Sequence, residues 1–209
     1  TWTCTVTDAH GCSTTTTVTI GQPAAALSTS NGANLSVSCF GGSNGSAAVN
    51  ASGGTAPYTF QWNTTPVQNG ATANNLPAGI WTCTVIDANG CSTLHAVTIT
   101  QPAAALSASI TSTTPAACFG EATGGATASG NGGTAPYTFS WNTSPVQAGA
   151  TATNLAAGTW TCTVTDARGC TTTVQATVGQ PSAAIGTTAS ITAAACQGAS
   201  DGAVDLTTT

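Results

Sequence analysis

The sequence predicts an all-β protein built from tandem β-sandwich repeats, and three observations support this. The stretch TWTCTVTDAHGC at 1–12 returns as IWTCTVIDANGC at 80–91 and as TWTCTVTDARGC at 159–170, a period of 79 residues. Apolar and aromatic residues alternate with threonine, which is the pattern of half-buried strands. Turn signals recur about every 8 to 12 residues, and no stretch shows sustained helical spacing. A regular period of about six or seven short strands indicates two packed sheets per repeat.

The period divides the 209-residue chain into two complete units and two fragments. Residues 23–101 and 102–180 are whole repeats, residues 1–22 match the last part of a repeat, and residues 181–209 match only its beginning. Gln-Pro pairs stand at the joints between units, where proline favours an extended linker. We therefore expect the sequence to be a segment of a longer repetitive polypeptide.

Composition narrows the possible partners and the cellular compartment. Charged residues make up 3% of the chain, Arg168 is the only Lys or Arg, and the formal net charge is -5. Nucleic acid is excluded as an expected partner, because phosphate binding needs clustered Lys and Arg. No run of 18 apolar residues occurs, so no membrane span is predicted. Nine cysteines, three per period and without a CxxC motif, favour disulfides in an oxidising compartment and hence an exported protein.

The first half of a repeat is expected to form a β-hairpin. In residues 23–101, the first strand is predicted around Leu35 and Val37, after the Gln-Pro joint. The glycine-rich segment CFGGSNG at 39–45 follows and is predicted to form a turn. It is not a phosphate-binding loop, because it lacks the Lys-Ser/Thr of that motif. The next strand, SAAVNAS, places alternate apolar side chains on one face. SGGTAP at 52–57 is a second loop.

The second half supplies the core and a second hairpin. Aromatic side chains stand at every second position of one strand, at Tyr58, Phe60 and Trp62, which favours core packing over a sugar-stacking platform. After the turn at 77–79, the motif strand points Trp81, Cys83 and Val85 to one side. Asp-Ala-Asn-Gly at 87–90 closes a hairpin, and the last strand runs from 91 to 100.

An aspartate recurs immediately before each hairpin turn, at Asp8, Asp87 and Asp166. Calcium sites draw oxygen ligands from several carboxylates, whereas each repeat offers this acid and little else. We therefore predict that the aspartate starts the turn as an acceptor for backbone amides, and we predict no metal site.

The segments CFGGSNGSAAVNASGGTAPYTFQWN, NNLPAG and WTCTVIDANGC together resemble the SprB-type repeats of Bacteroidetes surface proteins. The motifs occur in the family's order and cover most of each repeat. The resemblance implies an immunoglobulin-like or PKD-like β-sandwich in long, exported cell-surface proteins that serve adhesion or form filaments. The chain departs from the family by carrying Cys83 where the family more often has valine.

Two schemes for pairing the cysteines follow from a sandwich of this kind. The loop after the first strand is expected at the same end as the start of the penultimate strand, which pairs Cys39 with Cys83 and, one repeat on, Cys118 with Cys162. This first choice leaves the hairpin-tip cysteines as candidates for inter-repeat or inter-chain links: Cys12, Cys91 and Cys170. A rival scheme stacks the repeats head to tail and pairs Cys39 with Cys170.

No catalytic residue or cofactor is predicted. His10 and His95 occupy different positions of the repeat, and neither has a partner that would make it a general base. The sequence therefore predicts a non-enzymatic structural segment of an extracellular cell-surface stalk, adhesin or filament. Its partners are neighbouring repeats or copies of itself in a fibre. The alternative is a binding module whose loops SGGTAP and DANG recognise glycans or another surface.

Overall fold

A computed structural model describes residues 1–198 and 200–208, and its regular elements are 17 β-strands. The prediction of an all-β protein made of tandem sandwich repeats is confirmed. In this part of the chain, no helix has the length and apolar character needed to cross a membrane. The chain forms two compact units, of which one comprises 1–37 with 41–101 and the other comprises 38–40 with 102–209.

The first unit begins with a hairpin of β1 (Trp2–Thr7) and β2 (Ser13–Val18), paired from Trp2 opposite Val18 to Thr7 opposite Ser13. Six strands follow and form two antiparallel sheets, in the orders β3-β4-β6 and β5-β7-β8. Their bounds are β3 (Ser28–Asn31), β4 (Gly45–Ser52), β5 (Thr59–Trp62), β6 (Thr72–Leu76), β7 (Gly79–Ile86) and β8 (Ser92–Ile99).

Alternation along these strands places one side of each sheet in a common core. In β4 every second residue from Gly45 to Val49 is buried, as the period of two predicts. The predicted aromatic row is confirmed: Trp62 is fully buried, and Tyr58 and Phe60 pack against the core from its margin. The indole N–H of Trp62 donates to the Gly70 carbonyl at 3.0 Å, so the buried ring keeps its polar group satisfied.

The second unit repeats this plan with nine strands. One sheet has the order β13-β10-β9 and the other the order β12-β11-β14-β15, and β16 and β17 form a separate hairpin. Trp141 replaces Trp62 in its core. The bounds are β9 (Ser107–Thr114), β10 (Gly124–Asn131), β11 (Thr138–Trp141), β12 (Gln147–Ala148), β13 (Thr151–Leu155), β14 (Gly158–Thr165), β15 (Thr171–Val178), β16 (Thr187–Thr192) and β17 (Ala203–Thr208).

The predicted position of the first strand is wrong in the first unit. The strand lies earlier, at Ser28–Asn31, where it pairs with β4. Leu35 makes only an isolated bridge to Ser46 and is 56% exposed, although Val37 is buried. The side chain of Asn34 accepts the N–H of Ala48 at 2.9 Å, in place of a ladder bond. The turn-forming residues at 31–34 thus end the strand, whereas β9 continues through the corresponding stretch of the second unit.

The hairpin β1-β2 shows what the same sequence looks like without a facing sheet. Its side chains are exposed along both strands, with Val6 59% exposed, while the equivalent Val85 of β7 is 0% exposed. The alternation of the motif is therefore the same in both places, and burial depends on the opposite sheet.

Candidate functional site

The turn between β7 and β8 is organised by the carboxylate of Asp87. Its Oδ1 accepts the N–H of Asn89 at 2.9 Å and the N–H of Cys91 at 2.8 Å. Its Oδ2 accepts the N–H of Thr55, from the loop between β4 and β5, at 3.0 Å. The predicted role of this aspartate as an acceptor for turn amides is confirmed. Sequence reasoning missed the third donor, because Thr55 is 32 residues away.

The loop between β4 and β5 packs closely against the Asp87 carboxylate. Gly54 has φ +60°, and a Cβ added there would lie 2.6 Å from Oδ2 of Asp87. The Tyr58 hydroxyl donates to the Gly53 carbonyl at 2.6 Å, and the Ala88 N–H donates to the Thr55 carbonyl at 2.8 Å. Glycine is therefore required at position 54 for the loop to reach the carboxylate. The SGGTAP loop and the DANG turn form one bonded end of the unit.

The second unit has the same arrangement around Asp166. Its carboxylate accepts the N–H groups of Arg168, Cys170 and Thr134 at 2.8, 2.9 and 2.9 Å. Asp8, in the first hairpin, accepts the N–H groups of His10 and Cys12 at 2.8 and 2.9 Å.

The electrostatics of these carboxylates favour the charged form. The hydrogen bond from the Thr55 N–H is the main cause of the lowered pKa of Asp87. Burial raises this pKa by less, and the amides of Cys91 and Asn89 lower it further. At Asp166, burial raises the pKa, but the amides of Cys170, Thr134 and Arg168 together lower it below its ordinary value. The Asp87 carboxylate is thus already bonded to three backbone N–H groups. Within residues 1–198 and 200–208, no group of three His, Cys, Asp or Glu side chains is placed to hold a metal ion.

The structure corrects the first-choice disulfides. Cys39 is bonded to Cys170, with their Cα atoms 5.8 Å apart, and Cys83, Cys162 and Cys118 are free thiols. The rival pairing of Cys39 with Cys170 is therefore the one present. The other two hairpin-tip cysteines, Cys12 and Cys91, are free and exposed.

The position of the loop explains why Cys39 does not meet Cys83. The Val37 N–H donates to the Thr100 carbonyl at 2.9 Å, next to Ile99 at the end of β8. Ile99 pairs with Gly79, the first residue of β7. The chain leading to Cys39 therefore passes the end of the sheet where β7 begins. Cys83 lies four residues farther along β7, or about 13 Å at the rise of a strand. A disulfide needs Cα atoms closer than about 7 Å.

Cys83 instead contributes to the core. It pairs with Trp62 on one neighbouring strand and His95 on the other, and it is 0% exposed. Burial raises the pKa of the Cys83 thiol above its ordinary value, and burial does the same for Cys162. Both thiols therefore stay neutral and pack as small apolar groups.

His95 has a structural role that sequence reasoning missed. Its Nδ1 lies 3.1 Å from the Thr29 hydroxyl, and its Nε2 lies 3.1 Å from Oδ1 of Asn31. These bonds connect β8 with β3, which belong to different sheets. No signal in the sequence reveals this contact, because the partners lie 64 and 66 residues away. His10 lies exposed in the first hairpin and contributes only its backbone N–H to the turn.

A pocket of about 460 Å³ lies beside Cys91 in the first unit. The linker, the SGGTAP loop and the hairpin all line it, through Gln22, Pro23, Ala25, Ala26, Leu27, Gly54, Asp87, Cys91 and Ser92. Its walls are mainly small apolar side chains, and the carboxylate of Asp87 is already bonded to three amides. The free thiol is thus the reactive group of this pocket.

Comparison with known proteins gives one family match. The family model described as "SprB repeat" matches residues 36–66 and 110–146. A search of curated proteins finds no match.

Several solved structures are similar to the chain at low sequence identity. The three N-terminal domains of the bacteriophage RB49 highly immunogenic outer capsid protein (Hoc) are 13% identical, with a TM-score of 0.44, over 79% of this chain and 61% of that one. The complex of Dpr2 Ig1-Ig2 with DIP-Theta Ig1-Ig3 is 12% identical, with a TM-score of 0.29, over 73% and 66%. A biofilm associated protein BSP domain is 18% identical, with a TM-score of 0.23, over 78% and 30%. The chain spans about three fifths of the first of these structures.

Proposed function

The chain carries SprB repeats, and from that premise we propose that it is a structural segment of an extracellular cell-surface adhesin, stalk or filament. SprB repeats belong to cell-surface proteins, and repeats of this kind are typically structural modules, which supports a structural role for this chain. We take 23–101 and 102–180 as the repeating units, with 1–22 and 181–209 as parts of further repeats. The observation that carries the proposal is the disulfide from Cys39 to Cys170, which joins successive repeats in the sequence.

This disulfide suits a protein that works in an oxidising compartment and under tension. Structural disulfides persist in extracellular and surface proteins and are rare where thiols are kept reduced. When the chain is pulled from its ends, force passes through the two sulfurs and bypasses the residues between them. The bridge spans 131 residues, which would extend to about 450 Å if they unfolded without it. The cross-link therefore limits how far a stalk lengthens.

Glycan binding has less support from the site. The loops SGGTAP and DANG bond to each other through Thr55, Ala88 and Asp87, so much of their polar capacity is used internally. The aromatic row of Tyr58, Phe60 and Trp62 packs in or against the core, and Trp62 is buried. These contacts favour the structural role over glycan binding.

Single-molecule pulling combined with surface labelling tests the proposal. The oxidised chain is expected to release about 450 Å less length than the Cys39→Ser/Cys170→Ser variant, since the bridged residues stay unextended. Antibody against the folded repeats should label intact producing cells without permeabilisation. Equal extension of both proteins, or labelling only after cell lysis, would contradict the proposed role. A glycan array with the same protein checks the alternative, and strong specific binding would favour it.

A further inference from the structure

The dipeptide Asn-Gly occurs five times in the chain, and the structure holds one of these pairs in a geometry that favours a reaction within the pair. The glycine nitrogen of such a pair can attack the carboxamide of the asparagine before it, because glycine has no side chain to shield that nitrogen. The reaction depends on where the nitrogen and the carboxamide are held. The five pairs begin at Asn31, Asn44, Asn69, Asn89 and Asn131.

In the pair at 131–132, the glycine nitrogen is bonded to the asparagine side chain itself. The Gly132 N–H donates to Oδ1 of Asn131 at 2.7 Å. The carboxamide carbon Cγ is one C=O bond, about 1.2 Å, from Oδ1, so it lies within about 4 Å of the same nitrogen. Asn131 is exposed, so water reaches both groups. The two reacting groups are therefore already held together, which is the condition that speeds an intramolecular reaction.

The other four pairs hold the glycine differently. In three of them the glycine N–H donates to the backbone carbonyl of another residue, at 2.8 to 3.3 Å: Gly32 to Ala48, Gly70 to Phe60, and Gly90 to Asp87. In the fourth pair, Gly45 lies within β4, opposite Leu76. Asn69 is exposed as Asn131 is, but the nitrogen that follows it is bonded to Phe60. It is therefore the best comparison for Asn131.

We propose that Asn131 is a site of spontaneous covalent modification, at which the side chain cyclises with the Gly132 nitrogen and then opens to aspartate and isoaspartate. The nitrogen loses its proton to hydroxide, and the N–Cγ bond forms while Nδ2 takes up a proton and leaves as ammonia. Water then cleaves the cyclic imide at one of its two carbonyl carbons. Cleavage at Cγ gives aspartate in an ordinary peptide bond, whereas cleavage at the backbone carbonyl carbon routes the main chain through Cγ. One water is consumed and one ammonia is released.

The isoaspartate form has one extra carbon in the main chain, and the loop has no room for it. A Cβ added at Gly132 would already collide with the Ala105 carbonyl oxygen. The Gly132 carbonyl accepts the Tyr137 hydroxyl at 2.6 Å, and the Thr134 N–H donates to Oδ2 of Asp166 at 2.9 Å. The extra carbon moves these groups away from their partners. The modification is thus a one-way, time-dependent loosening of the loop that is bonded to Asp166.

The first unit carries serine at the equivalent position and provides a matched control. Ser52 precedes Gly53 as Asn131 precedes Gly132, and the two glycines have φ +69° and +74°. Because the backbone is the same in both units, Asn131→Ser should be tolerated. For the same reason, Ser52→Asn should create a second site of modification in the first unit.

The test incubates the full chain in mildly alkaline buffer made with H₂¹⁸O. Peptic mapping at acidic pH, where the nitrogen keeps its proton, then follows each pair by mass spectrometry. Position 131 should incorporate ¹⁸O faster than the other four pairs, and electron-transfer fragmentation should find both aspartate and isoaspartate there. Asn131→Ser should lose this signal and retain the four slower ones. In Ser52→Asn, position 52 should convert as fast as position 131.

Hydrogen exchange of the aged protein tests the structural consequence. The Thr134 N–H should lose protection in proportion to the fraction of isoaspartate. Asn131→Asp adds the charge without the extra main-chain carbon and should retain this protection. The proposal is overturned if position 131 converts no faster than Asn69, or if position 52 stays unmodified in Ser52→Asn. It is also overturned if the isoaspartate form keeps the protection of Thr134, or if Asn131→Asp loses it equally. None of these outcomes alters the pulling or surface-labelling results, which test the proposed function independently.

Discussion

Replacing Trp62 by alanine should unfold the first unit selectively. Trp62 is the largest side chain of its core, it is 1% exposed, and its N–H donates to the Gly70 carbonyl at 3.0 Å. Truncating a buried tryptophan costs about 3–5 kcal/mol through lost transfer energy and the cavity left behind. A unit of this size has a total stability of about 4–12 kcal/mol. The variant therefore loses a large share of the stability of the first unit.

Hydrogen exchange followed by mass spectrometry reads the two units separately. In Trp62→Ala, the free energy of opening for the amides of β5, β7 and β8 should be lower by about 3–5 kcal/mol. These amides should therefore exchange faster than in the unchanged protein. Amides of β11, β14 and β15 should keep their protection. Trp141→Ala should give the reverse pattern, because Trp141 has the same burial and donates to Gly149 at 3.1 Å.

Two further variants give a scale for the loss of stability expected in Trp62→Ala. Trp62→Phe leaves a smaller cavity than alanine does and also loses the bond to Gly70, at a cost of about 1–3 kcal/mol. Thr98→Ala, at an exposed position of β8, should change stability by less than about 0.5 kcal/mol. If Trp62→Ala costs no more than Thr98→Ala, or lowers protection equally in both units, the interpretation of Trp62 as the centre of an individual core is wrong.

Three other predictions concern the bonded turn and the free thiols. Because the pKa of Asp87 is lower in the folded protein, its stabilisation is present above its unfolded pKa of about 3.9 and is lost as pH falls through the folded value. Urea midpoints should therefore fall on acidification, and an equal fall in Asp87→Asn would contradict this. Gly54 has φ +60°, and a Cβ added there would lie 2.6 Å from Oδ2 of Asp87. Gly54→Ala should therefore lower the free energy of unfolding measured with urea by about 1–3 kcal/mol. An unchanged free energy would show that this position does not require glycine. At pH 8, iodoacetamide should alkylate Cys91 and spare Cys83 until urea is added, because burial raises the pKa of the Cys83 thiol; equal rates in the native protein would contradict its placement in the core.

The strands that could be predicted are those whose alternation has no interruption. Phe60 and Trp62 follow the period of two in a short strand, and the Asp-Ala-Asn-Gly turn after Ile86 fixes the register of the last hairpin. The first strand was misplaced because Leu35 and Val37 alternate as strand residues do, while the Asn34 side chain takes the place of a backbone partner. A side-chain bond of that kind leaves no mark on hydrophobic periodicity.

The contacts that escaped prediction are those between distant segments. The bond from Thr55 to Asp87 and the bonds of His95 to β3 depend on how the two sheets of a unit face each other. The partner of Cys39 depends on where the loop of Cys39 lies relative to Cys83 along β7. The bond from the Val37 N–H to the Thr100 carbonyl gives this position. Periodicity fixes which face a side chain takes, but it does not fix such offsets.

The three cysteines of a repeat occupy environments that rule out pairing within the repeat. Cys83 is enclosed in the core between the sheets. The loop of Cys39 follows Val37, near the start of β7, whereas Cys91 follows the end of β7, where Ile86 pairs with Ser92. The eight residues of β7 separate those two ends by about 25 Å, several times the reach of a disulfide. A loop cysteine therefore forms no disulfide within its own repeat: Cys39 is bonded to Cys170, which lies in the next repeat of the sequence, and the same geometry excludes a bond of Cys118 or Cys91 within its own repeat.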